Sequence, residues 1–154
     1  MEESLDNAKD ELKRVDHLFY VSLKYTRTAD MMRHMIERLI NAFSFGVESL
    51  LKHAKENKKV DNIPENPITC CKTLLGIFQD EELIRDLNIY LTLRKTIRAD
   101  YSKREEYRRH VTMTCIIDDN NLIEINIDSL KEYYDAARDF IDFVERIVRG
   151  KEEL

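Results

Sequence analysis

Apolar residues spaced alternately three and four apart dominate the opening of this chain, and they leave few folds open to it. Leu5, Ala8, Leu12, Val15 and Phe19 form one such stripe. Met32, Met35, Ile36, Leu39, Phe43, Val47, Leu50, Leu51 and Ala54 form a second. A stripe of that period is the buried face of an amphipathic helix, so helices are predicted over about residues 2–24 and 30–57. Thr26 and Thr28 interrupt with β-branched, cap-forming side chains, and Asp30 suits a new helix N-terminus. Neither Gly nor Pro stands at that junction. One unbroken helix of about 56 residues would still be exceptional in a compact domain, so a helical hairpin is predicted.

The polar stretch Lys58-Lys59-Val60-Asp61-Asn62-Ile63-Pro64-Glu65 reads as a loop. Asn66-Pro67 has the form of an N-cap followed by Pro at the first helical position, opening a short helix to about Phe78. Asp80, with Glu81 and Glu82 behind it, opens another helix through Leu83, Leu87, Tyr90 and Ile97. After His110 the period changes to two. Val111, Met113, Cys115 and Ile117 alternate with Thr112, Thr114 and Ile116; Asp118-Asp119-Asn120-Asn121 is a turn; and Ile123, Ile125 and Ile127 share a face. That is a β-hairpin over about residues 111–127, and two strands alone must pack on the helices or pair with another chain. Ser129-x-x-Glu132 matches a capping box for a last helix carrying Leu130, Tyr133, Ala137, Phe140, Val144, Ile147 and Val148, with Gly150 at its stop. The predicted fold is mainly α: an up-down bundle of about five helices, with one β-hairpin before the last, in a single domain over residues 1–154.

Composition narrows the function classes more than it names one. With 43% hydrophobic residues, three Gly and two Pro, the 154-residue chain is neither collagen-like nor disordered. No apolar run approaches the roughly 18–20 residues that span a bilayer, and the N-terminus lacks the basic start and apolar centre of a secretory signal. A cytoplasmic protein with no membrane contact is expected. Three cysteines, two of them adjacent at Cys70-Cys71, give no disulfide framework and no Cys-x-x-Cys pair, so buried reduced thiols are expected.

A formal net charge of −5 excludes a protein that coats nucleic acid over its whole surface. One segment departs from that balance. Residues 94–110 hold Arg94, Lys95, Arg98, Lys103, Arg104, Arg108 and Arg109 against Asp100, Glu105 and Glu106, a local net of +4. On a helical wheel begun at Leu83, Arg94 falls at about 20°, inside the apolar arc, and Arg98 at about 60°; a continuing helix returns Tyr101 to about 0°. A guanidinium on a core-facing arc must snorkel, pair with a carboxylate, or line a cleft where it can hold phosphate. Glu37 and Glu48 are the carboxylates considered for the paired alternative. Tyr90, Tyr101 and Tyr107 could offer stacking surfaces to bases. The bland alternative is a solvated helical extension laced with pairs such as Glu105–Arg109.

The segment Leu91-Thr92-Leu93-Arg94-Lys95-Thr96-Ile97-Arg98-Ala99-Asp100-Tyr101 resembles the Arg-x4–6-His region of HEPN domains, in the version that ends His-x-Tyr. Arg94 and Tyr101 stand at matching positions, and Ala99 occupies the place of the His. The order of elements, with long helices, the motif on a later helix and a closing helix, is also similar. The resemblance implies a dimeric helical bundle that binds or cleaves RNA without metal, in a cleft between subunits, with a nucleotidyltransferase-type partner in some settings. The Arg–His pair explains the chemistry, since an imidazole moves protons near neutral pH while a guanidinium holds the phosphate. Ala99 can move no proton, so the resemblance implies an impaired or purely binding member. A second registration, Arg104 and five residues later His110, also satisfies the spacing and leaves His110 as a candidate acid/base beside Arg94.

The nucleic-acid-binding residues expected on this reading are Arg94, Arg98, Tyr101, Lys103, Arg104, Arg108 and Arg109. The catalytic candidates are His110 and Arg94. No metal or cofactor is expected: there is no Glu-x-x-His pair, no Gly-rich phosphate loop and no nucleophile elbow. The rival reading is a helical interaction and oligomerisation module without catalytic function, with the hairpin as its assembly edge.

Overall fold

The computed structural model describes residues 1–118 and 121–150. Among them run α1 (Glu2–His17), which continues without a break through a π-helical turn (Leu18–Ser22) into Leu23–Tyr25, then α2 (Ala29–Glu56), α3 (Pro67–Ile77) and α4 (Glu81–Arg98). Three strands follow, β1 (Asp100–Arg104), β2 (Thr112–Asp118) and β3 (Asn121–Ile125), and α5 (Ile127–Val148) closes the chain. The mainly helical bundle with a strand insertion before its last helix is therefore present.

The helical hairpin forms as predicted. Thr28 ends the link between α1 and α2 by accepting a hydrogen bond from Met31 N at 3.1 Å, so the cap is Thr28 and Asp30 takes the first turn. Two other caps follow their sequence signatures. Asn66 accepts from Ile68 N at 2.8 Å ahead of Pro67, and Asp80 accepts from Glu82 N at 2.8 Å.

At the centre of the core lies α2, packed on α1, α5, α3 and α4. Its Met32, Met35, Ile36, Leu39, Phe43 and Leu50 are fully buried, each worth roughly 1.5–3 kcal/mol of transfer free energy. Phe43 stacks on Tyr90 of α4 at 5.6 Å and on Phe140 of α5 at 5.4 Å, tying three helices together. Gly46, one turn on, lets α5 approach. A Cβ there would lie 2.7 Å from Phe140 Cε2 and 2.8 Å from Ile141 Cδ1.

Three features depart from the sequence reading. The helix that carries Arg94 does not continue to Tyr101. It stops at Arg98, Ala99 turns extended (φ −81°, ψ 151°), and Tyr101 sits in β1. The predicted two-stranded hairpin is thus a three-stranded antiparallel sheet in the order β1-β2-β3. Asp100-Tyr101-Ser102-Lys103-Arg104 has one large apolar group, so it carries little strand signal; it is held by backbone pairing, Tyr101 opposite Cys115 and Lys103 opposite Met113. Charged side chains on such an edge strand resist further pairing.

The third departure is at α5. Ile127 is its first residue and not a strand position, and the capping box lies three residues earlier than expected. Asn126 accepts from Ser129 N at 2.9 Å, and Ser129 Oγ accepts from Asn126 N at 3.4 Å, so Ser129 is the inner partner of the box and Glu132 takes no part in it. Met113, Cys115 and Ile125 face the helices, fully buried, whereas Ile116 and Leu122 pair on the outer face, 49% and 65% exposed. The turn residues Asp119 and Asn120 lie outside the described residues. At the chain's end Gly150 takes the left-handed conformation (φ +74°) that closes α5. No helix among the described residues is long and apolar enough to cross a membrane.

Candidate anion-binding clefts

Five of the basic segment's seven cations are divided by the fold between two clefts at opposite ends of the β1–β2 ladder, and Lys103 and Arg108 line neither. The larger, about 830 Å3, lies where the C-terminal turns of α4 meet the N-terminus of α3 and the end of β2. Arg94, Lys95 and Arg98 line it, with Asn66, Pro67 and Ile68 facing them and Ile117 and Asp118 closing one side. The smaller, about 430 Å3, lies at the far end of the sheet, lined by Arg27, Arg104, Arg109, His110, Thr112, Asn126, Ile127 and Asp128.

In the larger cleft, Arg94 solves the problem of its core-facing position without a carboxylate. Its Nη1 donates to Tyr90 Oη at 3.5 Å and its guanidinium stands 5.7 Å from the centre of the Tyr90 ring. Tyr90 is itself buried, sharing a 2.8 Å hydrogen bond with Ser44 Oγ, so it is a core residue and offers no stacking face to a base. The ion pair considered from sequence does not form. Glu48 pairs with Lys52 at 2.9 Å, Glu37 is exposed, and among the described residues Arg94, Lys95 and Arg98 have no ion pair. Behind Arg94, burial pushes the Cys71 thiol up to about 11; Cys70 adds to the shift and the Arg94 charge opposes it. All three cysteines are unpaired and buried.

Tyr101 is turned away from this cleft by its strand. The Arg33 guanidinium lies over its ring at 4.7 Å, and Tyr101 Oη donates to Asp30 Oδ1 at 3.4 Å. Arg33 Nη2 in turn donates to the Ile97 carbonyl at 3.2 Å, in the last turn of α4, while its Nη1 is buried without a hydrogen-bond partner among the described residues. This arginine closes the helix that presents Arg94 and Arg98, and nothing in its local sequence sets it apart.

The smaller cleft is shaped by the loop after β1. Glu105 and Tyr107 take left-handed φ values of 55° and 63°, each costing a residue with a Cβ about 1–2 kcal/mol. Three contacts hold them there. Tyr107 N donates to the Arg27 carbonyl at 2.6 Å, Glu106 Oε2 accepts from Ala29 N at 3.0 Å as a second cap on α2, and Lys103 pairs with Glu106 at 3.2 Å. The Ala29 hydrogen bond, aided by Lys103, lowers the Glu106 carboxyl pKa, and Glu106 raises that of Lys103. The loop so fixed carries Arg109 and His110 to Arg27, a residue of the α1–α2 link that the sequence reading missed because only the tertiary fold brings it here.

Of the two arginines offered by sequence as partners of His110, Arg104 shares its cleft and Arg94 does not. Arg104 also pairs with Glu124 at 3.2 Å. Arg27, Arg108 and Arg109 have no ion pair among the described residues. Tyr107, 74% exposed, is the aromatic of this segment with an open face.

No protein-family model matches the chain, and neither a curated protein nor a solved structure matches it.

Proposed function

We propose that this protein binds RNA, or a partner bearing a nucleotide, by gripping backbone phosphates in the larger cleft. The observation that carries the reading is that Arg94, Lys95 and Arg98 share one cleft in a chain of net charge −5 and that no carboxylate among the described residues pairs with any of them. An unpaired guanidinium held against an aromatic ring is ready for a phosphate, because its planar fork loses little freedom on forming two parallel hydrogen bonds. Arg94 is a binding group and not half of a catalytic pair, since Ala99 replaces the proton-moving side chain of the motif that residues 91–101 resemble. The HEPN-like identity and the nucleotidyltransferase-type partner belong to this proposal through that resemblance, the homodimer through it and the strand edges, and the cytoplasmic setting through the composition.

Fluorescence anisotropy of a labelled single-stranded RNA tests it. Replacing Arg94 and Arg98 by Ala together is expected to weaken binding about ten- to a hundredfold, from the loss of two charge-assisted contacts, with the melting temperature nearly unchanged. Equal binding by the variant and the wild type would refute it.

A second reading, a protein–protein interaction module, draws on the exposed neighbours Ile116 and Leu122 on the outer face of a sheet whose β1 and β3 are both edges. If that face is the protein's working surface, Leu122→Lys abolishes self-association measured by sedimentation and leaves RNA binding untouched.

A further inference from the structure

We infer that the smaller cleft is a seat for a phosphate monoester, the terminal phosphate of a ribonucleotide. The inference rests on the RNA reading for the strand that would carry such an end, and on the cleft's own geometry for the chemistry. Arg27, Arg104 and Arg109 converge there from three separate stretches of chain, the α1–α2 link, β1 and the loop after it. Two of the three, Arg27 and Arg109, have no ion pair among the described residues.

A phosphate inside a strand presents one negative charge and two free oxygens, which a single arginine fork satisfies. A terminal phosphate carries a charge of about −1.5 to −2 and three acceptor oxygens, a number that suits several guanidiniums at once. His110 adds a fourth donor side chain to the same wall. The start of α5 forms another part of the wall, and its orientation favours an anion. Asp128 is the carboxylate on the wall, and it is an acceptor suited to a ribose hydroxyl, so the ligand is a nucleotide end in preference to bare phosphate.

The loop geometry bears on the same point. Two residues other than glycine are held at positive φ so that Arg109 and His110 stand beside Arg27, and the strain persists because two hydrogen bonds fix the loop to α2 and the α1–α2 link while Lys103 of β1 pairs with Glu106. An arrangement that needs only general positive charge has no use for such fixing. One that must direct several donors at a single phosphate does.

The test compares matched probes by titration calorimetry and anisotropy: uridine 5′-monophosphate against uridine, and a short oligouridylate without terminal phosphate against the same oligomer phosphorylated at its 5′ or its 3′ end. The phosphorylated member is expected to bind about tenfold or more tightly. Arg109→Ala and Arg27→Ala should each erase that preference while their melting temperatures stay at the wild-type value, and Arg94→Ala should leave it intact. A preference within the oligomers assigns the phosphate to a strand end. A preference confined to the mononucleotide assigns it to a free nucleotide. No preference in either comparison overturns the inference, even if every oligomer binds. Failure of all oligomers to bind, with the mononucleotide preference retained, removes the RNA reading and leaves the phosphate seat standing.

Discussion

At Gly46, two magnitudes oppose each other and the larger decides. Alanine in a helix interior is favoured over glycine by about 1 kcal/mol. The added methyl would stand 2.7 Å from Phe140 and 2.8 Å from Ile141, both buried in the bundle, and overpacking of that kind costs about 1–3 kcal/mol. Gly46→Ala is therefore expected to lower stability in a urea titration, by up to about 2 kcal/mol. Asp86 gives a prediction with a pH signature. Burial raises its carboxyl to about 6; Arg85 at 3.4 Å works against the shift, and Asp139 and Glu82 add to it. Between the ordinary carboxylate value of 3.8 and about 6 the folded chain holds a proton that the unfolded chain has lost. Stability from this group is thus present at low pH, falls as pH rises through that window, and stays lower above it. Asp86→Asn, uncharged at every pH, should gain roughly 1–2 kcal/mol near pH 7.5 and nothing near pH 3.5, read from thermal melts at the two values.

The elements were legible in sequence wherever local chemistry decided them. The three-and-four spacing of apolar residues, Asn66 before Pro67, and Asp80 before two glutamates each name a structure through contacts within a few residues, and α1 through α4 follow them. Misreadings arose where a distant partner decided. Asp100–Arg104 becomes a strand because β2 pairs with it, and Arg33, far off in sequence, takes the Ile97 carbonyl where α4 ends. The start of α5 is misread at Ser129-x-x-Glu132 because the pairing of β3 with β2 ends at Ile125 and leaves Asn126 as the cap. That choice is measurable. Asn126→Ala should cost about 1 kcal/mol, within the usual 0.5–2 kcal/mol for a lost cap, while Glu132→Ala should change stability by less than about 0.5 kcal/mol. The reverse order would restore Ser129 as the cap.

For the molecule as a whole, charge is the property that separates one surface from the rest. A run of seven cations within residues 94–110 could be seen in the sequence, but not that the fold divides it. Lys103 and Arg104 are tied to Glu106 and Glu124, whereas Arg94, Lys95 and Arg98 have no ion pair among the described residues and share one cleft, and Arg109 joins Arg27 in another. The two clefts are separated by the β1–β2 ladder, roughly 17 Å for five strand residues. That is about five steps of a nucleic-acid strand at 3.4 Å each. The most direct measurement is the salt dependence of RNA binding, for wild type and for the Arg94→Ala, Arg98→Ala double variant. Each phosphate contact to a single strand contributes about −0.7 to the slope of log K against log salt concentration. The wild type should show a slope near −2 from the larger cleft alone, and the double variant a slope shallower by about 1.4. A folded wild-type protein that binds no RNA at low salt, or two proteins with the same slope, would contradict phosphate binding at Arg94 and Arg98.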